Sequence, residues 1–234
     1  MRAAGVDFFF NSWRLVPANM LWGLGVVAAV LALFAWPPLA LLIVVLLVLP
    51  NAAVFRLAAL IARGEPASLG DALDALHDHP LQRLALAALM VGGALVLLSN
   101  LVGGSLSASM IGWGIATLAG WGVIAGGCWL LCFWPILLDP HRPQASVRLA
   151  ARLASLLVLA FPMRIAALAL TLGVLLAAST VAFLMLFTVS FAYAALVACR
   201  YVLPAADRLE AAMANAQPAL RGEPSAAGHP RARS

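Results

Sequence analysis

The sequence predicts an all-α fold: a polytopic membrane helical bundle of six transmembrane helices in three hairpins, with short cytoplasmic amphipathic helices. Hydrophobic residues make up 65% of the 234 residues and charged residues 10%, whereas soluble domains have roughly 45–50% and about 25%. The mean hydropathy is +1.03. Three charge-free runs, 15–55, 84–138 and 165–199, each exceed the roughly 20 residues that one membrane span requires.

Each charge-free run has the length of a helical hairpin, so a turn is expected near its middle. Trp36-Pro37-Pro38 predicts the first turn, because proline interrupts a helix and tryptophan favours the membrane interface. Small and polar residues predict the second turn at 103–109, and the third, at 177–183, has the weakest signal. The predicted spans are approximately 18–36, 39–62, 81–102, 108–137, 160–179 and 181–203.

The 14 arginines indicate how the bundle is oriented. With six spans they all lie on one face, whereas with five spans the arginines after residue 199 lie opposite the others. Arginine excess marks the cytoplasmic side of a membrane, so both termini are expected in the cytoplasm. The chain then divides into a cytoplasmic or interfacial segment at 1–17, a membrane domain at 18–203 and a largely disordered cytoplasmic tail at 204–234.

The segment SLGDALDALHDHP, at 68–80, predicts a short amphipathic helix before the third span. Ser68 is a favourable N-cap, and Asp71 three residues later completes a capping box. Leucines at 69, 73 and 76 form one apolar stripe. The two histidines are two residues apart, whereas a helical metal site requires i, i+4 spacing. A capped acidic helix is therefore expected here rather than a metal site.

Two loops predicted on the same face carry opposite charge. Residues 63–83 contain two arginines and four acids, a net charge of −2, and residues 139–164 contain four arginines and one acid, a net charge of +3. We therefore expect the helices in these loops to lie side by side. Exposed pairs of this kind contribute only about 0–1 kcal/mol, so they affect orientation more than stability. The expected contacts join Asp74 or Asp78 to Arg148 or Arg152.

The sequence contains none of the motifs GxSxG, HExxH, Walker loop or CxxC. No catalytic residue, metal ligand or cofactor is therefore expected, and the chain is predicted not to be an enzyme. Orientation in the membrane accounts for the net charge of +5, so nucleic acid is not an expected partner. The expected partner is the lipid bilayer, with anionic lipid head groups as candidates for the arginines of the tail.

Polar side chains inside the predicted spans are candidate binding residues. Asn19 lies near the start of the first span, Asn51 follows a proline in the second, and Arg56 lies near the cytoplasmic end of the second. Polar groups at membrane depth are costly and often functional. The alternatives are an interhelical hydrogen bond for each asparagine and an Arg56 side chain that extends to the interface.

Two segments resemble the YesL family of bacterial multi-pass membrane proteins. The first is FFFNSWRLVPANMLWGLGV at 8–26, with Asn19 three residues before Trp22, and the second is RGEPASLGDALDAL at 63–76. The layout is similar from about residue 8 to 205, although the loop helix has fewer aromatic and lysine residues than the family pattern. The resemblance implies a bacterial plasma-membrane protein and adds Trp22 to the candidate binding residues. It supplies no catalytic residue.

Three functions are compatible with these features. The first function is that of an accessory or regulatory component of a membrane transporter complex. It follows the resemblance, which implies an undefined activity associated with carbohydrate uptake or utilisation. The second is a transporter or permease-like subunit with its own small-solute site. The third is a purely structural membrane protein. Convergence of Asn19, Asn51 and Arg56 on one cavity favours the second.

Overall fold

The computed structural model describes residues 2–107, 109–142, 146–181 and 189–221. Within these ranges the chain is almost entirely helical and contains no strand, which confirms the predicted all-α class. The helices, in chain order, are α1 (Arg2–Ala35), α2 (Pro37–Leu46), α3 (Val48–Arg63), α4 (Leu69–His77), α5 (Pro80–Leu106), α6 (Met110–Leu137), α7 (Val147–Ala160), α8 (Pro162–Val181) and α9 (Phe191–Arg221).

Five helical segments of the described ranges are long and apolar enough to cross a membrane. They overlap the first five predicted spans, and their mean hydropathies range from 1.7 to 2.5. The sixth predicted span, 181–203, includes residues 182–188, which lie outside the described residues. The five segments are Ala4–Ala35, Pro37–Arg63, Pro80–Leu106, Met110–Leu137 and Pro162–Ser179.

The predicted N-terminal segment, 1–17, is not separate from the first span, because α1 is continuous from Arg2 to Ala35. The first turns of α1 pack on α9. Phe8 contacts Tyr193 edge to face, with ring centroids 6.0 Å apart, and Asp7 forms an ion pair with Arg200. These contacts hold the first turns of α1 against a helix that is distant in the chain.

The first two turns between membrane-length helices lie where the sequence predicts them. Trp36 is extended, with a proline at the first position of α2. The second turn is shorter than the predicted 103–109, because α5 continues to Leu106 and Ser109 already caps α6. The Ser109 hydroxyl accepts a hydrogen bond from the Gly112 N–H at 3.0 Å. The third predicted turn, 177–183, extends beyond the described residues.

The second membrane-length segment is bent at Leu47, where α2 ends and α3 begins. Pro50 has no N–H to offer the carbonyl of Leu46, and its ring crowds that carbonyl. The bend therefore follows from the proline three residues later.

Helix α3 forms the centre of the core. It packs against α1, α4 and α9, and small side chains such as those of its alanines allow neighbouring helices to approach closely. Buried residues of α6, α7 and α9 continue the same core. The buried alanines of α3 are Ala52, Ala53, Ala58 and Ala59.

Helices α5 and α6 approach closely at Gly104, near their turn. A Cβ atom at Gly104 would lie 2.5 Å from the carbonyl oxygen of Gly112 and 2.9 Å from the backbone nitrogen of Ala116. Both atoms are backbone, so they cannot move aside as a flexible side chain can.

Replacing Gly104 with alanine is expected to destabilise the protein by about 1–3 kcal/mol, because the added methyl group forces α5 and α6 apart. Gly103→Ala is the matched control: a Cβ there has no atom within 4 Å, and alanine is favoured over glycine in a helix by roughly 0.5–1 kcal/mol. Thermal unfolding in detergent, followed by circular dichroism, measures both. Equal stability of the two variants would contradict the close approach.

Candidate functional site

Helix α3 ends at Arg63 because Gly64 adopts a left-handed conformation, with φ of 80°. The Gly64 N–H donates to the carbonyl of Ile61, and the Glu65 N–H donates to the carbonyl of Leu60. These bonds satisfy carbonyls that have no partner within the helix. The helix therefore stops where the Arg63 side chain reaches Asp139, just after α6, and Asp207 in α9.

Asp139 follows α6, and its side chain is completely buried. Its carboxylate accepts hydrogen bonds from Arg63 (Nη2 to Oδ2, 2.5 Å), from Nη1 of Arg142, and from the His141 N–H at 3.2 Å. A buried carboxylate is costly unless cations and hydrogen-bond donors surround it. In the sequence, Asp139 marks the end of a charge-free run, and nothing near it indicates which cations it contacts.

Two acidic residues of α9 complete the arrangement. Arg142 donates from Nη2 to Asp207 Oδ1 at 2.6 Å and from Nε to Glu210 Oε2 at 3.1 Å. Arg63 Nη2 also donates to Asp207 Oδ1, at 3.0 Å. We call Arg63, Asp139, Arg142, Asp207 and Glu210 the charge cluster. It joins the ends of α3 and α6 to the second half of α9.

The charge cluster explains a correction to the sequence prediction. Residues 204–221, expected to belong to a largely disordered tail, form the second half of α9 instead. Asp207 and Glu210 are three residues apart and therefore share one side of the helix, where both are held by arginine. Residues 222–234 lie outside the described residues.

Hydrogen bonds from arginine favour the charged form of Asp207. The bond from Arg63 lowers the pKa of Asp207 below its ordinary value of 3.8, partial burial opposes this effect, and Arg142 reinforces it. The cluster contains two guanidinium groups and three carboxylates, so its formal charge is negative when all of them are ionised.

A cavity of about 400 Å³, here the polar cavity, lies beside the charge cluster between α3, α4 and the end of α6. Arg56 reaches it from α3, and its Nη1 donates to the carbonyl of Leu138 at 3.4 Å. Within the described ranges no carboxylate forms an ion pair with Arg56. The charged residues that line the cavity are Arg56, Asp71, Asp74, Asp78, Arg83, Asp139 and Arg142.

Helix α4 forms the acidic wall of the polar cavity and begins with the predicted capping box. The Asp71 N–H donates to the Ser68 hydroxyl at 3.3 Å, and the Ser68 N–H donates to the Asp71 carboxylate at 2.7 Å. The hydrogen bond from the Ser68 hydroxyl lowers the pKa of Asp71.

The face of α4 that is buried differs from the expected leucine stripe. Ala72 and Ala75 are buried and Leu76 is half-buried against the core, whereas Leu69 and Leu73 are 42% and 56% exposed. Because alanine is small, this face allows α4 to lie closer to α3 than a leucine face would.

The structure does not bring the predicted inter-loop residues together. Asp78 pairs with Arg83 at the start of α5, at 2.9 Å, and Asp74 lines the polar cavity. Arg148 and Arg152 are exposed on α7. The reason is that α4 packs mainly on α3, whereas α7 packs on α6, α8 and α9.

The two loops do meet, through residues at their first positions. Arg63 pairs with Asp139, and Glu65 pairs with His141. The opposite charges of the loops therefore indicated correctly that the loops meet. The contact does not join helices α4 and α7, where it was predicted. Charged residues directly after a span were the signal that could have located it.

Asn19 and Trp22 lie where α1 meets the beginning of α9. Asn19 is completely buried, and its Oδ1 accepts a hydrogen bond from the Ala192 N–H at 2.8 Å. Trp22 stacks on Phe191 with ring centroids 4.2 Å apart. Both side chains therefore take part in helix packing, which is the alternative that the sequence left open for Asn19.

Asn51 and Arg56 lie five residues apart in α3 but have different surroundings. Arg56 lines the polar cavity, and neither Asn19 nor Asn51 is among its lining residues. The buried Oδ1 of Asn51 accepts no hydrogen bond within the described part of the chain. The three candidate residues therefore do not converge on this cavity.

The residues that line the polar cavity are suited to ionic contacts. They carry guanidinium groups, carboxylates and aliphatic side chains, with no hydroxyl or thiol among those described. In the part of the chain that the structure describes, no group of three or more His, Cys, Asp or Glu side chains could hold a metal ion. The arrangement can bind a charged or strongly polar group.

Asp139→Asn is expected to destabilise the protein by about 3 kcal/mol, because it leaves two mostly buried guanidinium groups facing a neutral amide. Asp74→Asn, at an exposed position, is the control and should stay within about 0.5 kcal/mol of the wild type. Chemical or thermal unfolding in detergent, monitored by tryptophan fluorescence, checks both. Similar losses in the two variants would show that the cluster does not support the fold.

Acid should weaken the charge cluster through Asp207. Because its pKa is lowered on folding, its contribution to stability is complete above its ordinary value of 3.8 and is lost as the pH falls through the folded value. The Tm of the wild type is therefore expected to fall more steeply below about pH 4 than that of Asp207→Asn. Parallel curves for the two proteins between neutral and acidic pH would contradict this role.

Comparisons with known proteins give no match. No family model matches the chain, and searches of curated proteins and of solved structures find no similar protein or fold. The membrane-length helices, the charge cluster and the polar cavity are the observations on which a function can be proposed.

Proposed function

We propose that the chain is a non-catalytic accessory or regulatory component of a membrane assembly, with six spans arranged as three hairpins. Three hairpins place the ends of the second, fourth and sixth spans on the same side. Arg63, at the end of α3, forms ion pairs both with Asp139, just after α6, and with Asp207 in α9, and these contacts support this arrangement. The apolar first part of α9 contributes to the sixth span.

The same contacts support an orientation with both termini in the cytoplasm, and the resemblance to the YesL family supports a bacterial cell. The arginines of the charge cluster and of the loops lie at this end of the bundle, and arginine excess marks the cytoplasmic side. Asp7, in the first turns of α1, pairs there with Arg200. The short helices α4 and α7 would then lie at the cytoplasmic surface.

The single observation that carries the accessory role is the position of the polar cavity. It lies between loop residues and helix ends rather than midway along the spans. Arg56 projects into it without a carboxylate partner in the described ranges, which suits a charged group supplied by another molecule. Asn19 and Trp22 pack α1 on α9 and do not line this cavity, so they give no support to the competing function with a solute site.

The partner is best sought in a membrane transporter complex. The resemblance to the YesL family adds carbohydrate uptake or utilisation as the process. A transporter or permease-like subunit with its own solute site, and a purely structural protein, are the two competing functions. A transporter takes up solute by itself, a structural protein binds no transporter component, and an accessory component binds one without taking up solute alone.

Affinity purification of the full-length chain from its own membrane tests the accessory role. A transporter component, such as an ATPase subunit, should be recovered at near-equal amounts with the wild type. Arg56→Gln should reduce its recovery by about tenfold, the effect of losing a charge-assisted hydrogen bond. Arg152→Gln, which removes the same charge from an exposed position of α7, is the matched control and should have no effect.

Three results would overturn the proposal. Solute uptake by vesicles that contain only the purified chain would assign it to the transporters. A partner that is retained equally by both arginine variants would remove the polar cavity from the interaction. Recovery of no transporter component at all would favour the structural function.

A further inference from the structure

A second cavity lies on the side of α9 that faces away from the charge cluster. Arg200, Pro204 and Arg208 recur every four residues and therefore share one face of the helix. This face and the start of α8 enclose a cavity of about 480 Å³, which we call the arginine groove. Arg164 of α8 and Tyr201 of α9 also line it.

The arginine groove carries an excess of positive charge. Arg200 is paired with Asp7, and the Arg164 guanidinium lies over the ring of Phe161, 5.8 Å from its centroid. In the described ranges neither Arg164 nor Arg208 forms an ion pair with a carboxylate, and both side chains are exposed. Three guanidinium groups thus face one carboxylate, an arrangement that favours an anionic ligand.

A neighbouring cavity of about 450 Å³ continues from the arginine groove along α8. Arg164 and Tyr201 line both cavities, and Ala167, Leu168 and Thr171 line only the second. From residue 164 to 171 a helix rises about 10 Å, and these residues belong to the membrane-length segment Pro162–Ser179. A basic groove at the end of the span therefore leads into a mostly apolar groove within it.

We propose that these two grooves together bind one anionic phospholipid. Its phosphate lies among Arg164, Arg200 and Arg208, where guanidinium groups donate paired hydrogen bonds to phosphate oxygens. One acyl chain lies along α8. Basic pockets between membrane helices at the cytoplasmic side are suited to such head groups. The proposal does not depend on the accessory role, because the arginine groove and the polar cavity use different residues.

Inorganic phosphate has the same chemistry as the head group, so the groove along α8 distinguishes the two ligands. A lipid occupies both cavities, whereas free phosphate occupies only the arginine groove. Blocking the second cavity should therefore weaken the binding of a lipid and leave that of free phosphate unchanged.

Native mass spectrometry of the full-length chain in detergent, titrated with phosphatidylglycerol, phosphatidylcholine or inorganic phosphate, tests the proposal. The double variant Arg164→Gln/Arg208→Gln should bind phosphatidylglycerol about tenfold more weakly than the wild type. Arg148→Gln/Arg152→Gln removes the same charge from α7 and is the matched control; it should bind within about twofold of the wild type. Phosphatidylcholine, whose net charge is zero, should bind weakly to all three proteins.

A second pair of variants tests the acyl-chain groove. Ala166 and Ala167 are both exposed positions of α8, but only Ala167 lines the groove. Ala167→Trp should weaken phosphatidylglycerol binding, while Ala166→Trp should not. Equal losses in the two double arginine variants would overturn the proposal. The proposal would also be overturned if inorganic phosphate displaced the lipid at equal concentration and Ala167→Trp had no effect. Those two results together would indicate a free-anion site.

Discussion

Asp139 is a carboxylate with no exposure to solvent, and the contacts around it determine how the ends of α3 and α6 meet the second half of α9. A buried charge without partners costs several kcal/mol, so Arg63 and Arg142 have to remain beside it. Arg142 in turn holds two acids of α9. Helices α3, α6 and α9 therefore cannot slide past one another without breaking an ion pair. The polar cavity shares Asp139 and Arg142, so its shape depends on the same contacts.

The features of the fold that the sequence predicted correctly are those encoded locally. Apolar runs between charges indicate the first five membrane-length helices, Trp36 and the prolines after it indicate a turn, and Ser68 with Asp71 indicates the capping box. Each signal extends over one helix or a few residues. The continuation of α9 beyond residue 203 has a different origin, because its alanine-rich sequence is ambiguous by itself. Contacts with arginines far away in the chain accompany that continuation.

The candidate site was less predictable because its contacts are long-range. Arg63 is 76 residues from Asp139 and 144 from Asp207. Composition indicated that the two loops attract each other, but not which residues meet. Arg56 was identified from its depth in a span, whereas its hydrogen bond to the Leu138 carbonyl depends on where α6 ends. Asn19 was identified for the same reason, and its partner is a backbone N–H that no sequence pattern marks.

The contact between α1 and α9 has a consequence for biosynthesis. Asn19 and Ala192, which it joins, are 173 residues apart, so this surface of α1 stays without its polar and aromatic partners until α9 has been synthesised. Until then the Asn19 amide and the Trp22 ring lack their contacts with α9. A chain that stopped before α9 would leave this surface of α1 uncovered, with a polar amide exposed on a membrane-length helix.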